Sequence, residues 1–336
     1  MPGQSAIDDS VAELTARVRT LRRRARWSVR LWILAAMGVA AVAISGTAAW
    51  ILSAPRPMFP GPVPGLDESG DAGRGELVFH AADCASCHAS PGQPDPSRLG
   101  GGMALSAPFG TLFPPNISPD PVDGIGRWSV RDLANALLTG VSPAGTHYYP
   151  AFPYTSFTHM RLEDVRDLMA YLRTLPPVSG RAPPHDLPFP FTIRRSVGLW
   201  KRLFFRRGAI DPVPARGDAW NRGRYLVEAL EHCAECHSAR NILGGIKSSS
   251  RYAGGQDQEG VGYDPNITPV GIGHWSRADL VRLLTDGMTP DLRIVGGSMH
   301  SVVENTAKIP EADRAAIAEY ILSLPPRQSP DAVKER

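Results

Sequence analysis

The run Cys-x-x-Cys-His occurs twice in this chain of 336 residues, at Cys84–His88 and at Cys233–His237. This spacing is typical of covalent c-type haem attachment, in which both thiols bond the haem and the histidine binds its iron. A zinc or redox Cys-x-x-Cys pair beside an incidental histidine is the alternative. The sequence therefore predicts two covalently bound haem c groups, with His88 and His237 as iron ligands. The two motifs use all four cysteines of the chain, Cys84, Cys87, Cys233 and Cys236.

A long apolar segment precedes both motifs. Residues 31–53 are uncharged and mostly apolar, and at about 1.5 Å rise per residue they span the roughly 30 Å hydrocarbon layer of a membrane. Residues 1–30 are rich in arginine, which places them in the cytoplasm by the positive-inside rule. A cleaved signal peptide is the alternative, but its apolar region usually has only about 7 to 15 residues. We therefore expect a single-pass anchor in a bacterial inner membrane, with the haem motifs on the periplasmic side.

The remainder of the chain divides into two similar segments of a size typical of single domains. Each segment has a glycine-containing first helix, a Cys-x-x-Cys-His motif, a shared phrase and a closing helix that ends before two prolines. The shared phrase reads NISP with GIGRWS in the first segment and NITP with GIGHWS in the second. The predicted organisation is a Pro-rich linker (54–70), a first domain (71–178), a linker with a basic amphipathic segment (179–216), a second domain (217–326) and a tail (327–336).

The spacing of apolar residues predicts an all-α fold. Ser129 and Ser276 are the expected N-caps of helices over residues 130–138 and 277–285. No segment of any length alternates as a strand should. Gly75 and Gly223 lie in the first helix of each repeat, where a missing side chain lets the first and last helices cross closely.

Two further pairs of residues recur in both repeats. Asn116 and Asn266 lie in glycosylation sequons, but their matched positions favour a structural role, such as a loop over the haem edge. Trp128 and Trp275 are candidate contacts to a haem propionate, because an indole N–H can donate a hydrogen bond. A place in the apolar core is the alternative for both tryptophans.

Taken together, these motifs resemble those of the class I dihaem cytochromes c related to the cytochrome subunits of membrane-bound periplasmic dehydrogenases of the alcohol, aldehyde and gluconate type. The phrases NITP, GIGxWS, YPAFPYTSF and GGSM carry the resemblance, which covers about residues 71–326. It implies two tandem class I cytochrome c domains after the single N-terminal transmembrane helix. Many such subunits carry three Cys-x-x-Cys-His motifs, whereas this chain has two.

The resemblance also implies a methionine as the sixth iron ligand, between the haem motif and the last helix. In the second domain Met299 is the expected ligand, and Met288 is expected to pack. Related sequences often read Ala-Met-Pro-Tyr where the first domain has Phe152, which cannot bind iron. Met160 is the best substitute there. The remaining candidates of the first domain are Met103, His147 and His159.

The linker between the domains contains a possible amphipathic helix. Ile193, Val197, Trp200 and Phe204 share one helical face, with basic residues around them. Such a helix can lie on a membrane surface, or it can pack across the two haem domains or against a partner.

No catalytic apparatus stands out beside the haem motifs, because the chain has no Gly-rich nucleotide loop, no GxSxG and no HExxH. The expected function is electron transfer from a periplasmic dehydrogenase or respiratory donor to a quinone, a cytochrome or an oxidase. The exported part is near neutral, so nucleic acid is not an expected partner. The alternative is a dihaem enzyme of the thiosulfate dehydrogenase or peroxidase type, with catalysis at the first haem.

Overall fold

A computed structural model describes residues 3–66, 68–257 and 262–330 of the chain, with the side chains of the first helix described from residue 9. The last six residues of the predicted tail 327–336 lie outside the described residues. The described residues form two compact units, one ending at Ala54 and the other beginning at Pro55.

The first unit is a single helix, α1 (Gly3–Leu52). It contains all but the last residue of the predicted apolar segment 31–53, and none of its most apolar stretch is buried. Among the described residues, α1 is the one helix that is long and apolar enough to cross a membrane, judged by length and composition. It also continues through the arginine-rich residues that precede the apolar stretch.

The second unit is mostly helical, and a similar but not identical order of elements occurs in it twice. We call residues 55–193 the first half and residues 205–330 the second half. The helices of the first half are α2 (Ala72–Ala81), α3 (Cys84–His88), α4 (Val130–Thr139), α5 (Tyr154–Phe157) and α6 (Leu162–Leu172). Between the halves lies α7 (Val197–Phe204), which follows a 3-10 turn at Arg194–Ser196. The helices of the second half are α8 (Asp218–Tyr225), α9 (Pro269–Ile272), α10 (Arg277–Asp286), α11 (Ser298–Thr306) and α12 (Glu311–Leu322).

Two short hairpins correct the expectation of a purely α-helical fold. Strands β1 (Leu105–Ala107) and β2 (Gly110–Leu112) pair antiparallel in the first half. Strands β3 (Gly255–Gln256) and β4 (Tyr263–Asp264) do so in the second. With two or three residues each, these strands are too short for an alternating pattern to appear in the sequence.

The helices after the shared phrase begin where the sequence predicts. Ser129 and Ser276 are the N-caps of α4 and α10, and each forms a capping box with the aspartate three residues later. Each helix runs one residue beyond its predicted end and stops at a glycine with positive φ, Gly140 or Gly287. Only glycine adopts this left-handed conformation without strain, so the local sequence determines both ends.

Close crossing of the first and last helices is confirmed in both halves. A Cβ atom added to Gly75 of α2 would lie 2.0 Å from the carbonyl oxygen of Asp167 in α6. One added to Gly223 of α8 would lie 1.9 Å from the carbonyl oxygen of Ala316 in α12. Neither crossing has room for a side chain.

Helix α7 packs between the halves, as one of the two predictions for this segment proposed. Val197 is 5% exposed and packs with Leu112 and Tyr149 of the first half. The indole of Trp200 donates to the carbonyl of Leu243 in the second half at 2.8 Å. The Lys201 ammonium donates to the carbonyls of Thr139 and Gly140, at the end of α4, at 2.7 Å each.

Candidate haem-binding sites

The first Cys-x-x-Cys-His motif forms one helical turn, α3, directly after α2. Asp83 joins the two helices in a left-handed conformation, with φ of 53°. The Nδ1 atom of His88 lies 2.8 Å from the carbonyl oxygen of Pro115. Since a carbonyl can only accept, Nδ1 carries the proton and donates it, which leaves Nε2 with the lone pair that an iron ligand needs.

The second motif repeats this geometry. A π-helical turn (Leu226–Leu230) extends α8, and His232 follows with φ of 41°. Cys233–Glu235 then form a 3-10 turn. The Nδ1 atom of His237 donates to the carbonyl of Pro265 at 2.8 Å, so this histidine too presents Nε2 as its free nitrogen.

Burial perturbs the titration of the motif residues. It lowers the pKa of His88 and His237, which favours the neutral imidazole that an iron ligand needs. Burial also raises the pKa of the Cys87 and Cys236 thiols to about 12. Within the described ranges, no three His, Cys, Asp or Glu side chains are grouped so that they could hold a metal ion.

The two sequon asparagines fix the loops that carry these proline carbonyls. Asn116 is buried and donates to the carbonyl of Val178, just beyond α6, at 2.6 Å. Asn266 is buried and donates to the carbonyl of Arg327, beyond α12, at 2.8 Å. Each asparagine therefore ties the loop that partners the motif histidine to the end of its own half, which is a structural role.

Met299 and Phe152 occupy matching positions in the two halves. Val141 and Met288 each form an isolated bridge, with His147 and Ile294 respectively. The number of residues between Val141 and Phe152 equals the number between Met288 and Met299. Met299 lies in the first turn of α11, half-buried against the core.

The first half has an aromatic cluster at the position where the second half has Met299. The ring of Phe152 lies within 6.2 Å of the rings of Tyr148, Tyr154 and Phe157, measured between centroids. No sulfur atom is available at this position of the first half.

Met160, the substitute ligand expected from the sequence, is 4% exposed and belongs to the apolar core. It lies just before α6, as Ile309 lies just before α12, and Ile309 is also buried. Of the other candidates in the first half, His147 is buried and the Nδ1 atom of His159 contacts the carbonyl of Gly208.

The two tryptophans expected near haem propionates are both half-buried and pack against the core. Their backbone N–H groups donate to equivalent isoleucine carbonyls, Trp128 to Ile125 and Trp275 to Ile272, at 2.8 Å each. The indole N–H of Trp275 donates to Nε2 of His274 at 3.0 Å.

Sequence reasoning missed the proline carbonyls that partner the motif histidines. A signal was present, because a proline precedes the Asn-Ile-Ser/Thr phrase in both repeats. It also missed Asn305, whose amide contacts the first motif from the second half. No local pattern marks that residue, since its partners in the first half lie more than 200 positions away.

Comparison with known proteins identifies similar cytochromes. The family model for cytochrome c matches residues 72–176. A dihaem c-type cytochrome of Cereibacter sphaeroides is 46% identical over 301 residues, which cover 86% of this chain and 97% of that protein. The fructose dehydrogenase cytochrome subunit of Gluconobacter japonicus is 39% identical over 79% of this chain and 54% of its own length. The gluconate 2-dehydrogenase cytochrome c subunit of Pantoea cypripedii is 33% identical over 77% of this chain and 61% of its own length.

These matches show first the class of protein to which the chain belongs, which is that of the c-type cytochromes. The chain belongs to the family of dihaem c-type cytochromes. The expected similarity to cytochrome subunits of dehydrogenases is also confirmed. The chain spans only about half the length of the fructose dehydrogenase subunit, so the activity of that larger protein does not transfer with the match.

Proposed function

We propose that this chain is a membrane-anchored dihaem electron carrier that accepts electrons from a periplasmic dehydrogenase and passes them to a quinone, a cytochrome or an oxidase. The observation that carries the proposal is the repeated motif geometry. In both halves the motif histidine donates Nδ1–H to a proline carbonyl at 2.8 Å. Both histidines are thus held in the tautomer that binds iron through Nε2.

Haem c, when bound, supplies a one-electron Fe(III)/Fe(II) couple. In this proposal the chain forms two tandem class I cytochrome c domains, 71–178 and 217–326. The four cysteines would hold the two haems covalently, His88 and His237 would bind the irons, and Met299 and Met160 would supply the second protein ligand of each iron. Two protein ligands on each iron exclude substrate from the metal, and Met/His ligation raises the reduction potential.

Different observations support the proposed electron donor and the proposed membrane anchor. Fructose and gluconate dehydrogenases have cytochrome subunits similar to this chain, which supports a dehydrogenase as the electron donor. Helix α1 and the arginines before its apolar stretch support a single-pass anchor with the haem domains in the periplasm. The redox centres are thereby held near the membrane in which a quinone acceptor dissolves.

The decisive experiment measures haem content and coordination in the purified full-length protein. We expect two haems per chain from a pyridine haemochrome assay combined with intact mass, and two low-spin irons by near-infrared magnetic circular dichroism. Detection of one haem, or of none bound covalently, would contradict the proposal.

A second candidate function follows from Phe152. Because the first half has no sulfur atom at the position of Met299, its iron could have a displaceable ligand, as in a dihaem enzyme of the thiosulfate dehydrogenase or peroxidase type. Cyanide and carbon monoxide binding separate the two functions. A carrier binds neither readily, and Met160→Ala should then open the first site. A high-spin first haem in the wild-type protein, together with turnover of thiosulfate or peroxide without any partner, would favour the enzyme.

A further inference from the structure

The second half contacts the first haem motif through one buried side chain. Asn305 of α11 is 5% exposed. Its Nδ2 atom donates to Oδ1 of Asp83 at 2.5 Å and lies 3.3 Å from Oγ of Ser86. Its Oδ1 atom lies 3.0 Å from Nδ1 of His80, at the end of α2. One amide from the second half therefore contacts three residues of the first.

These contacts converge on the segment that attaches the first haem. Asp83 directly precedes Cys84, and Ser86 lies between Cys84 and Cys87. The Ser86 hydroxyl also donates to Asp83, so the amide joins a small network rather than a single group. Asp83 is half-buried in this network, and burial raises the pKa of its carboxyl to about 6.

The polar atoms of Asn305 are satisfied within this contact, because Nδ2 also donates to the carbonyl of Ser301 at 3.0 Å. Asparagine is a weaker helix former than alanine or leucine by up to about 0.7 kcal/mol. An amide at this helical position is therefore explained by its partners in the first half rather than by helix stability.

The same helix carries the proposed ligand of the second iron. Met299 lies in the first turn of α11, and Asn305 follows six residues later, about 9 Å further along the axis at 1.5 Å rise per residue. Thr306, next to Asn305, donates to the carbonyl of Leu284 at 2.7 Å. This bond fixes the end of α11 to α10 of its own half.

We propose that Asn305 is a positioning residue for electron transfer between the two haems, because it holds the helix of Met299 against the Cys84–Cys87 turn. The inference rests on the proposed function. In each transfer one iron(II) loses one electron and becomes iron(III), while the other iron(III) gains it and becomes iron(II), and no proton or further reactant is needed. The rate of electron transfer between two buried haems falls steeply as their separation grows. A contact that fixes α11 against the Cys84–Cys87 turn would therefore influence this rate.

The test compares Asn305→Leu with Tyr225→Phe in full-length holoprotein. Tyr225 also bridges the halves, since its hydroxyl donates to Asp164 and accepts from the backbone N–H of Arg161, but it does not contact a haem motif through these bonds. Pulse radiolysis reports the rate of electron exchange between the haems. We expect this rate to fall in Asn305→Leu, because the helix and the turn are no longer held together, and to stay at the wild-type value in Tyr225→Phe.

Hydrogen–deuterium exchange supplies a readout that does not depend on electron transfer. Loss of the amide contact should raise exchange in residues 80–87 and 298–306 together in Asn305→Leu, but not in Tyr225→Phe. A merely structural role would lower stability in both variants without changing the electron exchange rate. An Asn305→Leu protein with both haems and a wild-type rate would overturn the inference.

Should Asn305→Leu fail to assemble, Asp83→Gly decides the question. Asp83 has φ of 53°, a conformation that glycine adopts without strain, so this variant removes the main acceptor and preserves the turn. A slowed exchange rate would support the inference, and a wild-type rate would overturn it. A wild-type protein without two haems would instead refute the proposed function.

Discussion

Replacement of Gly75 by alanine tests the close crossing of α2 and α6. The added Cβ would lie 2.0 Å from the carbonyl oxygen of Asp167 and 2.9 Å from Cβ of Tyr171. Real Cβ atoms do not approach backbone oxygens closer than 3.0 Å, so the helices would have to separate by about 1 Å. Neither obstacle is the flexible end of a side chain.

The expected net effect is a loss of stability. Overpacking of this kind costs about 1 to 3 kcal/mol, and occasionally more, and a contact against backbone belongs at the upper end of that range. The intrinsic gain in helix propensity from glycine to alanine is only about 1 kcal/mol. We therefore expect Gly75→Ala to lower the free energy of unfolding by about 2 kcal/mol.

Gly73 supplies the matched control in the same helix. A Cβ atom there meets only the carboxylate of Asp71, at 3.3 Å, so Gly73→Ala should be neutral or stabilising by up to about 1 kcal/mol. Guanidinium unfolding of the detergent-solubilised holoprotein, followed by Soret circular dichroism, gives both values. If Gly75→Ala is as stable as Gly73→Ala, the crossing distance in the structure is wrong.

Three further outcomes are expected. Met299→Ala should abolish one near-infrared Met–Fe(III) band and lower one reduction potential, and an unchanged spectrum would refute the ligand assignment. Lys201→Met should destabilise the fold by about 1 to 3 kcal/mol, because the carbonyl of Thr139 loses its Lys201 donor and that of Gly140 keeps only the Tyr148 N–H. Lys247→Met, at an exposed position, should have no measurable effect. N-terminal sequencing of the mature protein should find α1 retained, and a start at residues 49–55 would show cleavage.

Elements determined by nearby residues could be predicted from the sequence. The capping boxes at Ser129 and Ser276 and the glycines that end α4 and α10 all act within a few positions. Gly75 and Gly223 were predictable for a related reason, because a glycine inside an otherwise regular helix indicates close backbone approach. The repeat itself supplied a second copy against which each of these signals could be checked.

Features that depend on distant partners could not be predicted in this way. The hairpins have two or three residues in each strand, which is too short for the two-residue alternation of a strand to be recognised. The π-helical turn at Leu226–Leu230 has no counterpart in α2, although the two helices are repeats of one another. The amide of Asn305 donates to Asp83, and no sequence pattern near either residue predicts that hydrogen bond.

One difference between the halves concerns the residues at the position of the expected sixth ligand. The hydrogen bonds of the two motif histidines have the same length, since both histidines donate to proline carbonyls at 2.8 Å. The helix crossings repeat as well. At the position where the second half has Met299, the first half has Phe152 within an aromatic cluster.

The methionine available to the first half, Met160, lies at the position of a core residue, Ile309. As a ligand to the first haem, Met160 would come from the apolar core, whereas Met299 is half-buried at the start of a helix. Burial of a haem site and its ligand set are both determinants of reduction potential. In the proposed carrier, the two haems would therefore differ in potential because their methionine ligands differ in burial.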